Sequence, residues 1–234
     1  MKKILAFNIN ADILKLFALF AMTVDHIGMA FGVWEWGGRI LIGRSVLPIF
    51  VFLMVNHLSK NQNFDKYIGR LLLFGVLTGA VLNPFEPFYM PFNIFFTLLL
   101  PVVFLKMYKD IEKEITYFPA RLILSSCLFF IFLSLSSFTS YVWAGFLFVI
   151  SFYQYVQKQD RFHLALLMAT ALILNWQTFA LADLPWGISS MVWTFFLTRV
   201  TLDKNGKRFL RPWWLFYAYF PIHLYVLYSL KALL

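Results

Sequence analysis

The chain alternates long apolar runs with short polar or charged connections, and this pattern predicts a bundle of helices that cross a membrane. A transmembrane helix needs about 20 mostly apolar residues. Cutting the 234 residues at charged or turn-rich segments leaves nine candidate runs, at 14–32, 40–58, 67–82, 92–108, 121–136, 141–156, 162–179, 186–201 and 213–233. The run at 122–135 is apolar on every face, unlike the alternating strands of a membrane β-barrel. We therefore expect an all-α, polytopic integral membrane helical bundle of about nine transmembrane helices, forming a single domain over residues 1–234.

The composition supports this prediction and excludes other classes. Hydrophobic residues make up 61% of the chain and charged residues 13%, against about 45–50% and about 25% in soluble globular proteins. A soluble domain of this size could not bury so much apolar surface, and a disordered chain would be more polar. We interpret the net charge of +9 as basic cytoplasmic loops, so the expected partner is the lipid bilayer, and no nucleic acid. The expected location is the bacterial inner membrane.

The positions of the charges orient the bundle. With the N-terminus inside, 17 of the 20 Lys and Arg residues lie in inner connections or at inner helix ends, and Arg39, Arg44 and Lys231 lie in or near the outer half. Lys and Arg concentrate on the cytoplasmic side of membrane proteins, and Trp concentrates at both interfaces. The pattern predicts an N-terminus inside and, with nine spans, a C-terminus outside. Trp34 and Trp186 fit as anchors at the outer interface.

Three ionisable residues fall in the outer half of the first two predicted spans. Asp25 and His26 lie in the outer half of the first span, and Arg44 lies at a comparable depth in the second. Because an unpaired charge in the bilayer costs several kcal/mol, we expect an Arg44–Asp25 ion pair. The Asp25-His26 segment is either a polar latch between helices or a buried acid–base site. Arg44 is either structural or, with Arg39, holds an anionic group or stabilises developing charge.

The last predicted span carries a further intramembrane histidine. Tyr219 and His223 are four residues apart and share a helix face, and Pro221 is expected to kink the helix between them. His223 either lines a cavity or is a satisfied core histidine. His57 and His163 lie near the inner interface, where we expect their side chains to face the headgroups.

Further polar clusters lie at the two ends of the bundle. Asn83, Glu86 and Asn93 lie in or beside the outer connection between the third and fourth spans. They form either a Pro-rich turn with an Asn cap or part of a site on the same side as Asp25. The inner rim is basic. For each of its residues singly, the concentration of basic residues on the cytoplasmic side is a sufficient explanation, but together these residues could bind a polyanion from the cytoplasm. The rim consists of Lys66, Arg70, Arg199, Lys204, Lys207, Arg208 and Arg211.

Several of these segments together resemble the TraX family of membrane proteins. The order and spacing of the matching motifs, which cover about a third of the chain, carry the resemblance. The motifs are 14–16 with 22–28, 39–44 with 47–52, 66–71, 92–98 and 216–223. After the second of these motifs the family often has a Glu-Gly pair, whereas this chain has Asn56-His57.

The resemblance implies an acetyltransferase. The namesake of the family acetylates the amino terminus of conjugative pilin, and the family is similar to transmembrane acyltransferases that take acyl-CoA from the cytoplasm and modify acceptors on the far side. It therefore implies acetyl-CoA as the acyl donor, and a pilin amine or a surface glycan hydroxyl as the acceptor. No metal is expected.

These expectations combine into one mechanistic hypothesis. His26 acts as a general base or carries the acetyl group as a transient acyl-imidazole, and Asp25 orients it directly or through Arg44. Oxyanion stabilisation and acceptor binding are assigned to Arg44, Arg39, Asn93, His223, Tyr219, Asn83 and Glu86, and CoA binding to the basic rim. The rival hypotheses are an O-acetyltransferase of a surface glycan, a proton-coupled transporter or flippase that uses Asp25, His26 and Arg44 as a proton relay, and a non-catalytic pilus assembly factor.

Overall fold

Each predicted apolar run contains a helix, although α7 and α8 end before the predicted bounds. The structure is a computed structural model, and it describes residues 7–61, 63–83, 93–176, 180–203, 210 and 214–234. Within these ranges the chain is all-α apart from two three-residue strands. The α-helices are α1 (Ala11–Phe31), α2 (Val46–Asn61), α3 (Phe64–Leu82), α4 (Ile94–Glu114), α5 (Phe118–Ser136), α6 (Val142–Lys158), α7 (Arg161–Ile173), α8 (Leu184–Thr198) and α9 (Leu215–Leu233).

Three of the described helical segments are long and apolar enough to cross a membrane. They are Ala11–Phe31, the continuous helical run Glu35–Lys60, and Phe118–Ser136. The last, α5, leaves large apolar side chains exposed, among them Ile123 and Phe130, each 64% exposed. Burying such a side chain away from water is worth about 1.5–3 kcal/mol, so a surface of this kind is stable against lipid rather than against water.

Helix α6 lies at the centre of the bundle. Its residues Phe146, Phe148 and Phe152 are almost completely buried, and their rings contact Phe104 of α4 and Phe52 of α2. Around this centre α1 packs against α2 and α9, α3 packs against α4 and α9, and α7 packs between α6 and α8. The outer half of α1 therefore faces α9 on one side and the segment before α2 on the other.

A small parallel sheet, which the sequence patterns do not predict, joins two distant parts of the chain. Strand β1 (Phe7–Ile9) pairs with β2 (Val200–Leu202), although 200–201 were expected to end the eighth span. Asp12, which is 1% exposed, strengthens the junction because it accepts hydrogen bonds from Lys15 Nζ at 2.8 Å and from the Leu210 amide at 3.1 Å. The start of α1 and the connection after α8 thus lie at the same end of the bundle.

The segment before α2 departs from α-helical geometry. Residues Glu35–Ile42 form a π-helix, and Gly43–Ser45 form a 3-10 turn that leads into α2. Pro48 has no N–H to donate to the carbonyl of Arg44, and a tightened turn is a common way to accommodate this loss. Side chains satisfy the carbonyls that the irregular backbone frees: Ser189 Oγ donates to Ile40 at 2.5 Å, Trp193 Nε1 to Leu41 at 2.6 Å, and Ser45 Oγ to Ile42 at 2.6 Å. Irregular backbone at membrane depth requires this protein-supplied hydrogen bonding.

Candidate functional site

A cavity of about 960 Å³ runs along the bundle between α1, α2 and α9. Asp12 and Lys15 of α1 and Lys60 of α2 line one end, called the inner end after the predicted orientation, and Asp25 of α1 and Arg44 line the other, called the outer end. At about 1.5 Å of rise per residue, these positions lie about 20–24 Å apart along their helices. The cavity therefore extends over most of the roughly 30 Å hydrocarbon thickness of a bilayer.

The outer end of the cavity contains the predicted ion pair. Arg44 Nη2 donates to Asp25 Oδ1 at 2.7 Å, and Arg39 Nε lies 3.7 Å from the same oxygen. Arg44 Nη1 also donates to Asn175 Oδ1 at 2.9 Å, and Asn175 Nδ2 donates to Ser190 Oγ at 2.6 Å. The expected Arg44–Asp25 pair is confirmed, and the turn after α7, supported by α8, supplies a further polar contact to Arg44.

Trp186 of α8 lies beside both arginines rather than serving only as an interfacial anchor. The guanidinium carbons of Arg39 and Arg44 are 5.1 Å and 4.8 Å from its ring centroid. Such cation–π contacts contribute about 0.5–2 kcal/mol each. They hold two like-charged groups side by side.

Two glycines allow the irregular segment to approach α1 closely. A Cβ at Gly43 would lie 2.7 Å from Asp25 Cβ, and a Cβ at Gly28 would lie 2.5 Å from Arg39 Cγ. Real Cβ atoms do not tolerate such distances. The absence of a side chain at these two positions is therefore what lets both arginines reach Asp25.

His26 pairs with His223 and not with Asp25. His26 Nδ1 lies 2.6 Å from His223 Nε2, and His223 Nδ1 lies 2.8 Å from the carbonyl oxygen of Tyr219. Asp25 points toward the arginines instead, because adjacent helix positions diverge by about 100°. The expectation that Asp25 orients His26 directly is therefore wrong, and His223 takes that place.

This chain of contacts assigns the tautomers of both histidines. A carbonyl oxygen only accepts, so His223 Nδ1 carries a proton, and in the neutral ring His223 Nε2 is an acceptor. His26 Nδ1 must then donate to His223, which leaves a lone pair on His26 Nε2. The two rings are nearly parallel, at 17°, with their centroids 4.8 Å apart.

Tyr219 also fixes the contact between α1 and α9. Its hydroxyl lies 2.6 Å from Thr23 Oγ1, and Thr23 Oγ1 donates its proton to the Leu19 carbonyl at 2.9 Å. Tyr219 is therefore the donor to Thr23. The ring of Tyr219 stacks on His223 with a centroid distance of 4.9 Å, so it supports the histidine pair from one turn away.

The inner end of the cavity is polar and basic, but its residues differ from the predicted rim. Arg70 lines the cavity as predicted, and Lys15 and Lys60 line it although they were not predicted to bind a ligand. Lys66 is exposed and does not line the cavity. Arg199 does not line it either, and its guanidinium carbon lies 4.9 Å from the ring centroid of Phe195. The predicted sites at Lys204, Lys207, Arg208, Arg211 and Glu86 lie outside the described residues.

Aromatic side chains line the cavity next to this basic end. Tyr67 and Tyr217 interact with each other, Tyr217 interacts with Arg70, and the ring of His57 lies 5.4 Å from Tyr67. His57 and Asn56 both line the cavity. His57 is nevertheless exposed, so the expectation that its side chain faces the headgroups stays a prediction.

The two predicted asparagines have structural contacts. Asn93 caps α4 by accepting from the Phe95 amide at 3.1 Å, and its Nδ2 donates to the Gly75 carbonyl of α3 at 2.8 Å. Asn83 is exposed at the end of α3. Neither is among the residues that line the cavity, so the capping interpretation describes Asn93 better than the oxyanion role.

His163 lies away from the cavity, at the start of α7. Its backbone N–H and its ring Nδ1 both contact the Asp160 carboxylate, at 2.8 Å and 2.7 Å. The hydrogen bond from the His163 backbone, followed by that from its side chain, lowers the pKa of Asp160 below its ordinary value. The pair is an N-cap, so His163 has a structural explanation.

Comparison with known proteins decides the family. A family model described as TraX protein matches residues 10–231. This chain belongs to the TraX family. The match runs from the start of α1 to the end of α9, so it includes every element that builds the cavity.

One relative of this TraX-family chain covers nearly all of it. It is a protein of Dichelobacter nodosus described as probable fimbrial assembly protein FimC, serogroup H1, and it is 28% identical over 253 residues, covering 97% of this chain and 98% of its own length. No solved structure matches the chain.

Proposed function

We propose that this TraX-family protein is a membrane-embedded acetyltransferase that moves an acetyl group from cytoplasmic acetyl-CoA to an acceptor on the outer side. The N-terminal amine of a pilin is the first candidate acceptor. The observation that carries the proposal is a cavity that extends from a basic inner end to His26, whose Nε2 has a lone pair in the tautomer that its contacts assign. This arrangement supports the proposal, because a donor from one side and an acceptor from the other can reach the same base.

The proposal requires nine spans in the inner membrane, with the N-terminus inside and the C-terminus outside. Eight spans separate β1 from β2, and an even number of spans returns the chain to the side on which it started. The pairing of the two strands therefore supports this topology. Residues 7–9 and 200–202 are then on the same side, as their hydrogen bonding requires. The Lys and Arg residues near the two strands agree with this orientation, because basic residues concentrate on the cytoplasmic side.

The residues of the cavity fit acetyl-CoA, which carries phosphates at one end and an uncharged thioester arm at the other. Lys60 and Arg70 offer charge to phosphates at the inner end. Leu19, Met22 and Phe50 form part of an apolar middle section that suits an uncharged arm. When bound, acetyl-CoA supplies the activated acetyl group.

His26 has the central chemical role in this proposal. Its Nε2 accepts the proton that an acceptor amine or hydroxyl loses as the new bond to the acetyl carbon forms, and it returns the proton to the leaving thiolate. In the alternative route the same lone pair attacks the acetyl carbon and expels the CoA thiolate; the acceptor then displaces the acetyl group from Nε2, and its proton goes to the thiolate. Both routes need the tautomer that His223 and the Tyr219 carbonyl select.

Arg44 provides the positive charge for the developing oxyanion. Asp25 and Asn175 hold its guanidinium on two sides, so little reorganisation is needed when negative charge forms. In this proposal Asp25 contributes by positioning Arg44, which corresponds to the predicted alternative in which Asp25 acts through Arg44.

Acetyl transfer by the purified protein tests the proposal. The wild-type protein in nanodiscs, given radiolabelled acetyl-CoA, is expected to hydrolyse it slowly or to label an added acceptor. His26→Ala is expected to lose about 10²–10⁴-fold in rate, whereas His163→Ala, the matched control outside the cavity, is expected to keep the wild-type rate. Retention of more than a few per cent of transfer by His26→Ala would exclude His26 as the base or carrier.

The acceptor can be identified in cells. Mass spectrometry of pilins and surface glycans, with and without the gene, is expected to show an acetyl group that depends on the gene. An acetylated pilin N-terminus supports the first candidate, whereas acetylated glycan hydroxyls identify the protein as a glycan O-acetyltransferase.

A second candidate function is a non-catalytic role in pilus assembly. The description of the Dichelobacter nodosus relative as a probable fimbrial assembly protein favours it. Complementation separates the two candidates. If His26→Ala restores fimbriae in a deletion strain as well as the wild-type gene does, assembly does not depend on transfer.

A further inference from the structure

The outer end of the cavity has more positive than negative charge in its ion-pair cluster. Asp25 Oδ1 is shared by Arg44 at 2.7 Å and Arg39 at 3.7 Å, so one carboxylate serves two guanidinium groups. Asp183 also lines the cavity and interacts with other groups. Within the cluster of Asp25, Arg39 and Arg44, the second guanidinium therefore has no carboxylate of its own.

Arg39 is the less satisfied of the two arginines. Arg44 donates hydrogen bonds to Asp25 and Asn175. Arg39, by contrast, makes no hydrogen bond to any residue that the structure describes, and its Nε is buried without a hydrogen-bond partner, 3.7 Å from Asp25 Oδ1. A guanidinium has five N–H donors, and leaving the buried Nε–H unused costs about 1–3 kcal/mol.

The position of Arg39 keeps these donors close to His26. Its aliphatic stem packs against Gly28, where no side chain intervenes, and its guanidinium lies against Trp186 at 5.1 Å. The charge of Arg39 interacts electrostatically with the His26 ring. Arg39 and His26 both line the cavity, and the Arg39 side chain is 24% exposed, so a ligand in the cavity can reach both.

We propose that Arg39 binds a carboxylate or phosphate group of the acceptor and thereby holds the reacting amine or hydroxyl at His26. A planar guanidinium recognises both anions through paired, charge-assisted hydrogen bonds. The phosphates of acetyl-CoA are not the ligand, because the basic inner end lies about 20 Å away along α1. The assignment rests on the proposed function for the identity of the acceptor, although anion binding itself requires no transfer.

Protection of His26 from carbethoxylation measures this binding directly. The purified protein in a non-ionic detergent is treated with diethyl pyrocarbonate, and modification of the His26 peptide is followed by mass spectrometry. Acetate and inorganic phosphate are the anionic probes, and acetamide is the neutral one. At ten times its dissociation constant an anion occupies about 90% of the sites, so the rate is expected to fall about tenfold, with no effect of acetamide.

Variants test whether Arg39 is the residue responsible. Arg39→Gln is expected to lose the protection, and Arg39→Lys to keep part of it. Gly28→Ala is expected to weaken protection without changing the charge, because the added Cβ displaces the Arg39 stem. Arg121→Gln, at an arginine that stacks on Phe118 of α5 outside the cavity lining, is the matched control and should behave as wild type. Thermal melting of each variant checks that it is folded.

The outcomes separate the possibilities. Equal effects of acetate and acetamide, or full protection in a folded Arg39→Gln variant, would overturn the proposal. If anionic phospholipid vesicles already protect His26 through Arg39 and added acetate does nothing more, the ligand is a lipid headgroup and the assignment to the acceptor is wrong. Because the assay contains no acetyl-CoA, failure of anion binding and absence of acetyl transfer are independent results.

Discussion

Replacement of His223 tests the hydrogen-bond chain that selects the tautomer of His26. In His223→Leu the His26 Nδ1–H loses the acceptor that now lies 2.6 Å away. A buried donor without an acceptor costs about 1–3 kcal/mol, so His26 is expected to shift its proton to Nε2, where it blocks the lone pair. At about 1.4 kcal/mol per factor of ten, the active tautomer and the transfer rate should fall about 5- to 150-fold.

His223→Gln is the matched variant for this test. The side-chain amide of glutamine can offer an oxygen where His223 offers Nε2, so the variant is expected to remain within about tenfold of the wild-type rate. Two measurements are needed: acetyl transfer in nanodiscs, and the ¹⁵N chemical shifts of the His26 ring, which report which nitrogen carries the proton. The NMR measurement does not depend on catalysis.

A particular pair of results would refute the reasoning. If the two variants lose the same activity while the His26 ring keeps its wild-type ¹⁵N shifts, His223 has a different role from that of a positioning residue. If His223→Leu has the wild-type rate and a changed tautomer, the tautomer is irrelevant to the reaction.

Three further predictions concern the two ends of the cavity and the topology. Gly43→Ala should lower the stability by about 1–3 kcal/mol because the new Cβ would lie 2.7 Å from Asp25, and a thermal melt that matches the wild type would contradict the close approach. Lys60→Gln and Arg70→Gln should each weaken acetyl-CoA binding and reduce its dependence on salt; affinities measured at two ionic strengths test this, and unchanged salt dependence would exclude phosphate contacts there. A reporter active only outside the cytoplasm should be active when fused after Leu234, and activity of a cytoplasmic reporter there would show that the span count is wrong.

The features that could be predicted from the sequence are those that depend on where a residue lies along the direction across the bilayer. Each apolar run became a helix because a chain in lipid satisfies its backbone hydrogen bonds within the helix. The Asp25–Arg44 pair was predictable for a related reason, since two buried charges at similar depth on neighbouring helices have few other ways to lower their energy. The formation of the helices and the pairing of Asp25 with Arg44 both follow from the cost of burying polar groups without a partner.

The contacts that depend on three-dimensional packing were not predictable. His26 and His223 are 197 residues apart, and nothing in the pattern shows that α1 and α9 pack together at that height. Asn175 is a neutral polar residue without a topological signal, and Trp186 is of the residue type that also anchors helices at interfaces. The charge of Lys60 already had an explanation in the orientation of the bundle, so its position in the cavity lining could not be predicted from the sequence.

The apolar middle of the cavity also has a consequence for the energetics of the cell. Between the charged ends the walls include Leu47, Leu53 and Met54 in addition to the residues described above. Moving one elementary charge through a membrane releases or consumes about 2.3 kcal/mol per 100 mV, so a hydrated path between the two ends would drain the electrochemical gradient. A hydrophobic section of a pore expels water and conducts ions poorly. In the proposed orientation these apolar walls therefore oppose ion leakage, while they suit the uncharged arm of the proposed acyl donor.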